Sequence, residues 1–264
     1  CPWFESALGS QNIKSPFFEA GFLLTSSSLS CLKICDAIYT DSSNFGCPMR
    51  KKLSSQTKLK KDVLEQSLCT GCGACVSLCP YQVIYSDRTV QLFDCDLQDG
   101  KCYAFCPRTP ADYGRMRESL FNVDELTSEI GAVKGFYLTR ATDPDLRARA
   151  QHGGTVTALL EAAMAEGLID SAIISTRNAD LEQEGKLLDD QHRLRDNAKS
   201  NFTVSPTVAA FNRLDGAGNK KIGAVATPCQ AIALAKMRTA DVQGCHKINQ
   251  LKLVIGLFCG WTLS

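Results

Sequence analysis

The chain has 264 residues, 44% of them hydrophobic and 22% charged, with a formal net charge of +1. That is the composition of a globular protein with room for one large domain and one small one. The near-neutral balance excludes an electrostatic footprint for nucleic acid. No uncharged apolar run reaches the roughly 18 residues of a membrane-crossing helix, so no membrane span is expected.

Fourteen cysteines are the outlying feature. "FFEAGFLL" (17–24) is too short for an export signal, carries a glutamate and lacks a basic start. In a chain this large, cysteines at two- and three-residue gaps bridge one another poorly but reach a shared metal well. The expectation is a reducing, cytoplasmic metalloprotein.

Residues 1–62 form an unassigned N-terminal segment, serine-rich at "TSSSLSC" and ending in the basic run "MRKKLSSQTKLKK" (49–61), which suits a linker or a solvated helix. Its Cys1, Cys31, Cys35 and Cys47 follow no metal-ligand spacing and receive no role.

Residues 63–110 are a cysteine module. Cys69, Cys72, Cys75 and Cys79-Pro80 spell C-x2-C-x2-C-x3-C-P, the run that holds cubane iron–sulfur clusters. Three thiolates come from one loop, and Gly71 and Gly73 let the backbone curl round the cluster. A four-thiolate zinc site would instead pair two distant C-x2-C units. The second half, Cys95, Cys102 and Cys106-Pro107, has Gln98 where an inner cysteine would fall. In two-cluster ferredoxins the last cysteine of each run serves the other cluster. Cys69, Cys72, Cys75 and Cys106 would then hold one 4Fe-4S cluster. Cys79, Cys95 and Cys102 would hold a second, with a fourth ligand from elsewhere. The alternative is a decayed second half and a single cluster.

Residues 111–264 alternate helix and strand. In "GGTVTALLEAAMAEGLIDSAIIS" (153–175), Val156, Leu159, Leu160, Ala163 and Met164 recur at helical spacing, and Gly167 closes the helix before a strand. "KIGAVATPCQAIALAKM" (221–237) reads as strand, tight turn and helix. "LKLVIGLFCG" (251–260) reads as a strand buried on both faces. The expected fold class is a ferredoxin-like module followed by an α/β domain with a mostly parallel sheet.

Ligands of such sheets sit outside the carboxyl ends of the strands. There Thr227 suits a helix N-cap and Pro228 the first helical position, so the amides near Cys229 and Gln230 face an anion site. His152-Gly153-Gly154-Thr155 is either a second phosphate cradle or a plain turn. Arg193, Arg195 and Lys199 are either a basic clamp on a pyrophosphate or a solvated connection. Cys229 and Cys259 are read as buried apolar cysteines, as the missing cluster ligand, or as the lining of a redox ligand. Cys245 is assigned nothing.

The module followed by "GGTVTALLEAAMAEGLID", "KSNFTVSP", "ATPCQAIAL" and "KLVIGLFCG", in that order, resembles the beta-subunit family of coenzyme F420-reducing hydrogenases and dehydrogenases. That family includes formate dehydrogenase beta subunits and the plant 7-hydroxymethyl chlorophyll a reductase. The resemblance covers roughly residues 65–264. It implies FAD in the α/β domain, electrons passing between flavin and clusters, and a soluble carrier such as F420 or ferredoxin. It also implies other subunits of a redox complex as partners. Mapped here, it places Gly153, Gly154, Thr155, Val156, Thr157, Lys199, Ser205, Pro206, Thr227, Pro228, Cys229 and Gln230 at the flavin. Family members continue well beyond the "LFC" motif, so a flavin domain incomplete at Ser264 is expected. The expected function is an iron–sulfur flavoprotein subunit of an oxidoreductase. The alternatives are a stand-alone ferredoxin-dependent flavin reductase and an electron-relay or assembly subunit without flavin. No proton-transferring residue is assigned.

Overall fold

The computed structural model describes residues 52–121, 126–127, 131–178, 181–214, 220–240, 242 and 246–260. All belong to one compact unit, Lys51–Ser264. Cys1, Cys31, Cys35, Cys47 and Cys245 lie outside the described residues.

The basic run turns out to be a helix rather than a linker. Ser54 caps α1 (Ser55–Leu59) by accepting the Thr57 amide at 3.1 Å, and the helix widens into a π-helical turn, Lys60–Leu64. Its lysines face outward, while Leu59 and Val63 are buried against Cys75 and Cys106. The Ser55 amide donates to the Leu97 carbonyl at 2.8 Å. The Ser55 hydroxyl accepts the Gly100 amide and donates to the Gln98 carbonyl, both at 2.6 Å. This helix therefore closes one side of the cysteine module. The rest of the module is the cysteine loop, an antiparallel hairpin of β1 (Gln82–Tyr85) and β2 (Arg88–Gln91), and α2 (Lys101–Phe105).

The chain continues through α3 (Tyr113–Leu120), the short pair β3 (Leu126–Thr127) and β4 (Gly131–Ala132), and α4 (Pro144–Arg149). Then come α5 (Thr155–Ala165), β5 (Ser171–Arg177), β6 (Gln183–Leu188), α6 (Gln191–Asp196) and α7 (Thr207–Asn212). β7 (Ile222–Ala226), α8 (Pro228–Thr239), a 3-10 turn (His246–Gln250) and β8 (Leu251–Gly256) complete the described fold. The sheet order is β6-β5-β7-β8, with β5, β7 and β8 parallel and β6 antiparallel to β5. The sheet is thus mixed, with the three anticipated strands forming its parallel part. β6, "QEGKLL", went unread because Glu184 and Lys186 break its apolar pattern.

β8 corrects another expectation. Among the described residues β7 is its one neighbour, which puts it at the edge of the described sheet, and its residues alternate between buried Leu251 and exposed Val254 rather than being covered on both faces. It stops at Gly256, leaving Leu257, Phe258 and Cys259 exposed beyond it. β5 shows full cover: Ala172 and Ile174 point to the α5 and α6 side with Leu160, Ala163 and Leu194, while Ile173 points to the α7 and α8 side. On that second side the core runs without a break from Phe211, Leu234 and Met237 into Cys72, Ala74 and Phe105 of the module. The two parts share one core.

Asn212 fastens that join. Its amide nitrogen, buried at the end of α7, faces the carbonyls of Gly73, Ala74 and Val76 at 3.3, 3.0 and 2.8 Å. Truncation leaves those carbonyls short of donors in a dry place, at a cost of about 1–3 kcal/mol. Asn212→Ala is therefore expected to lower the free energy of unfolding by that amount, read as a lower urea midpoint at an unaltered denaturant slope.

Candidate metal centre

The cysteine loop is shaped by two left-handed glycines, Gly71 at φ +62° and Gly73 at φ +81°. A Cβ on Gly71 would collide with Val204 and the Asp87 carbonyl. One on Gly73 would stand 2.8 Å from both the Ala209 nitrogen and the Pro206 carbonyl oxygen. So tight a fold aims its thiols at one point. Cys69, Cys72, Cys75 and Cys106 line a single cavity, closed by Leu59, Val63, Thr89 and Pro107. The Thr89 amide donates to Cys69 Sγ at 3.5 Å, and Thr89 Oγ1 lies 3.2 Å from Cys75 Sγ. These four are the set that the ferredoxin crossover rule assigned to the first cluster.

Burial pushes the Cys72 thiol well above its ordinary value and Cys75 up to about 12, and neighbouring thiols add to both shifts. Thiolates gathered here need a positive group among them, which is what iron supplies. Among the described residues no three histidine, cysteine or carboxylate side chains are grouped to hold a single metal ion. The four cysteines belong to the C-x2-C-x2-C-x3-C-P run and its partner C-P, the spacing that serves iron–sulfur clusters.

The second set is more open. Cys102 is pushed up by burial and then by the charges of Cys79 and Cys95. Cys79 is exposed, and Cys95 Sγ accepts the Leu97 amide at 3.4 Å. Cys229 packs against the core cluster that holds Cys72. Cys259 is exposed past the end of β8.

Thr227 and Gln230 form a reciprocal cap at the start of α8, with the Thr227 amide donating to Gln230 Oε1 at 2.9 Å. Gln230 Nε2 donates onward to the Ser205 carbonyl at 2.8 Å. Thr227 Oγ1 lies 3.2 Å from Cys229 Sγ. Ser205, Pro206 and residues 227–230 are thus brought together at the carboxyl end of β7. The Val208 amide, just beyond them, donates to the Cys72 carbonyl at 3.2 Å. This turn and the cysteine cage are contiguous.

Gly153 and Gly154 open α5, Gly154 at φ +73°, and pack against residues 139–150. Thr155 Oγ1 lies 3.0 Å from Thr139 Oγ1, Val156 is half-buried and Thr157 is buried. α5 leads back into β5, so its first turn lies at the sheet end where β5 and β7 finish. Lys199 is exposed. Arg195 is not available as a pyrophosphate clamp. Its guanidinium is engaged by Glu161 at 2.7 and 3.0 Å and by Asp143 at 2.7 Å.

Sequence reasoning passed over Lys236. On α8 it is 7% exposed, and Nζ donates to the carbonyls of Cys106 at 2.7 Å, Thr109 at 3.2 Å and Pro110 at 3.1 Å, and to Thr109 Oγ1 at 2.6 Å. Burial lowers its pKa and Cys106 raises it. A lysine inside "AIALAKM" was the sole signal.

Residues 136–212 match the family described as coenzyme F420 hydrogenase/dehydrogenase, beta subunit N-term, and residues 219–264 match its C terminus. Residues 63–85 match a 4Fe-4S binding domain. The coenzyme F420 hydrogenase subunit beta of Methanothermobacter thermautotrophicus is 30% identical over 132 residues, covering 49% of this chain and 47% of that one. A coenzyme F420-dependent sulfite reductase of Methanocaldococcus jannaschii is 26% identical over 213 residues, 75% of this chain and 31% of its own. A ferredoxin of Pyrobaculum islandicum is 30% identical over 88 residues, 32% of this chain and 74% of its own. The chain spans about half or less of the first two relatives. Among the described residues no helix is long and apolar enough to cross a membrane.

The Arg195 network also sets an acid response. The Asp145 amide and then Arg195 hold the Asp143 carboxyl below its ordinary range. A depressed carboxylate stabilises the fold above its unfolded pKa, and that stability is lost as pH falls through the folded value. Asp143→Asn should lower the melting temperature at about pH 7, and the gap to the unaltered chain should close by about pH 2. Melts followed by circular dichroism across that range check this.

Proposed function

Because the chain belongs to the beta-subunit family of coenzyme F420 hydrogenases and dehydrogenases, we propose that it is an iron–sulfur flavoprotein subunit of an oxidoreductase. In this reading it passes electrons between two 4Fe-4S clusters, FAD and a soluble carrier of the F420 or ferredoxin kind. Cys69, Cys72, Cys75 and Cys106 hold one cluster, and Cys79, Cys95 and Cys102 contribute to the other. The flavin seat is built from residues 153–157, Lys199, Ser205, Pro206 and residues 227–230. Bound FAD would supply the conversion between an electron pair and single electrons, which clusters carry one at a time.

The chain's own residues divide the work. The first turn of α8 offers the Cys229 amide to an anionic or electron-rich group, since Pro228 has no N–H and the Gln230 amide is held by Thr227. Gln230 holds the Ser205 segment against that turn. Leu59, Val63 and Phe105 help keep water from the first cage. The observation that carries the reading is the contiguity of turn and cage, through the 3.2 Å bond between Val208 and Cys72 and the packing of Cys229 against the core that holds Cys72. A flavin seated at the turn would lie next to a cluster, as electron exchange requires. Family relatives named as hydrogenase subunits support other subunits of a redox complex as partners.

Anaerobic purification with iron, sulfide and flavin counted per chain is the direct test. About eight irons and one FAD are expected. Cys72→Ser and Cys102→Ser should each remove about four irons. About four irons with no flavin would sink the flavoprotein reading and leave a relay subunit. Gln230→Ala should weaken FAD binding by roughly tenfold while leaving the iron count unchanged, because its two bonds are to Thr227 and Ser205 and none is to a cysteine of the cage. A fluorescence titration with FAD reads that outcome.

A further inference from the structure

Lys236 is a buried cation set against the cysteine cage. Its four oxygen contacts all come from the turn that begins at Cys106: three carbonyls and the Thr109 hydroxyl. An ammonium has three protons to donate and nothing to accept with. A neutral amine would turn a lone pair toward oxygens that are all acceptors, since the Thr109 hydroxyl proton is directed to the Tyr103 and Cys106 carbonyls at 2.8 and 2.9 Å. The shell is therefore built for the charged form, yet among the described residues it contains no carboxylate.

A buried cation without a counter-charge is costly, and holding a turn does not require one. A glutamine amide or a water molecule could bond two of the same carbonyls without carrying charge. The charge is explained if the negative partner is the cage itself. Cys106 is one of its four cysteines, and its own carbonyl accepts from Lys236 Nζ at 2.7 Å. A cube bound by four thiolates carries net negative charge, and reduction adds one more. A fixed positive charge nearby stabilises the reduced form more than the oxidised form.

Helix geometry adds a second link. Cys229 and Lys236 are seven residues apart, two turns of α8, and so lie on one face with buried Ala233 between them. That face packs Cys229 against the core that holds Cys72 and bonds the Cys106 carbonyl through Lys236. The helix that opens at the candidate flavin seat thus carries the charge that faces the cluster.

We infer that Lys236 is a positioning residue for electron transfer, its buried positive charge raising the reduction potential of the cluster held by Cys69, Cys72, Cys75 and Cys106. The inference rests on the iron–sulfur reading above. The experiment is a redox titration of the full chain, loaded anaerobically and followed by electron paramagnetic resonance, on the unaltered protein and on Lys236→Met, Lys236→Gln and Lys236→Arg, with iron counted in each.

The neutral variants should favour the oxidised cluster at least tenfold more than the unaltered chain at a given potential, a shift of about 59 mV downward for a one-electron couple. Lys236→Arg should stay close to the unaltered value. Lys236→Gln keeps donors in the shell, so it tests charge apart from hydrogen bonding. An unchanged potential in a neutral variant with a full iron count overturns the inference. So does a result in which both neutral variants load no cluster while Lys236→Arg loads it fully, since the lysine would then be an anchor of the cage. An unaltered chain that binds no iron sinks the earlier reading instead, and is told apart by the iron count alone.

Discussion

The structure depends on how the loop carrying Cys72 is gripped by α7. Cys72 gives its carbonyl to the Val208 amide, Gly73 packs directly on Pro206 and Ala209, and Asn212 faces the loop carbonyls of Gly73, Ala74 and Val76. A loop with left-handed residues at positions 71 and 73 has few hydrogen bonds of its own to satisfy its backbone. α7 supplies them from a segment more than a hundred residues later in the chain. That reach explains why the cysteine module and the sheet share one apolar core, with Cys72, Ala74 and Phe105 packed among Phe211, Leu234 and Met237. The cage is folded by the α/β domain as much as by its own sequence.

The same contact sets the electrostatics. Pressing the cysteine loop into a dry core raises the cost of every thiolate in it, as the upward shifts of Cys72, Cys75 and Cys106 show, each with burial as its first cause. Those charges must be matched from within. Under the proposed function an iron–sulfur core would match part of them, and Lys236 adds a protein charge on the Cys106 side. Thr89 supplies a further neutral balance, its amide to Cys69 and its hydroxyl to Cys75. Packing and charge are here one constraint.

Much of this was legible in the sequence, and the reasons divide cleanly. The cysteine spacing, the glycines at 71 and 73, the helix from 155, the cap at Thr227 and three strands are local patterns, and the structure carries them. What escaped was long-range. β6 is held by pairing with β5, although Glu184 and Lys186 speak against a strand. β8 reads as fully apolar, but burial depends on neighbours, and β7 is the one it pairs with. Arg195 looked like a free cation until Asp143 and Glu161, distant in sequence, closed on it. Lys236 finds its partners about 130 residues away, beyond the reach of any local pattern.

A gradient of burial orders the site. The capped turn at Thr227 is half-buried, the first cage is closed among Leu59, Val63 and Phe105, and the second set opens to solvent at Cys79. Around that opening Tyr81, Leu92, Phe93 and Leu97 leave apolar surface exposed, Tyr81 and Phe93 in edge contact. Solvent exposure and local charge are among the factors that set cluster potentials, so two cages built differently in both respects would not share one potential. Under the proposed function that difference gives direction. The dry cage with its fixed cation faces the flavin turn, and the open cage faces outward, where another redox protein would meet it. The order turn, closed cage, open cage and surface is a consequence of one packing choice, the burial of the first cysteine loop beneath α7 and α8.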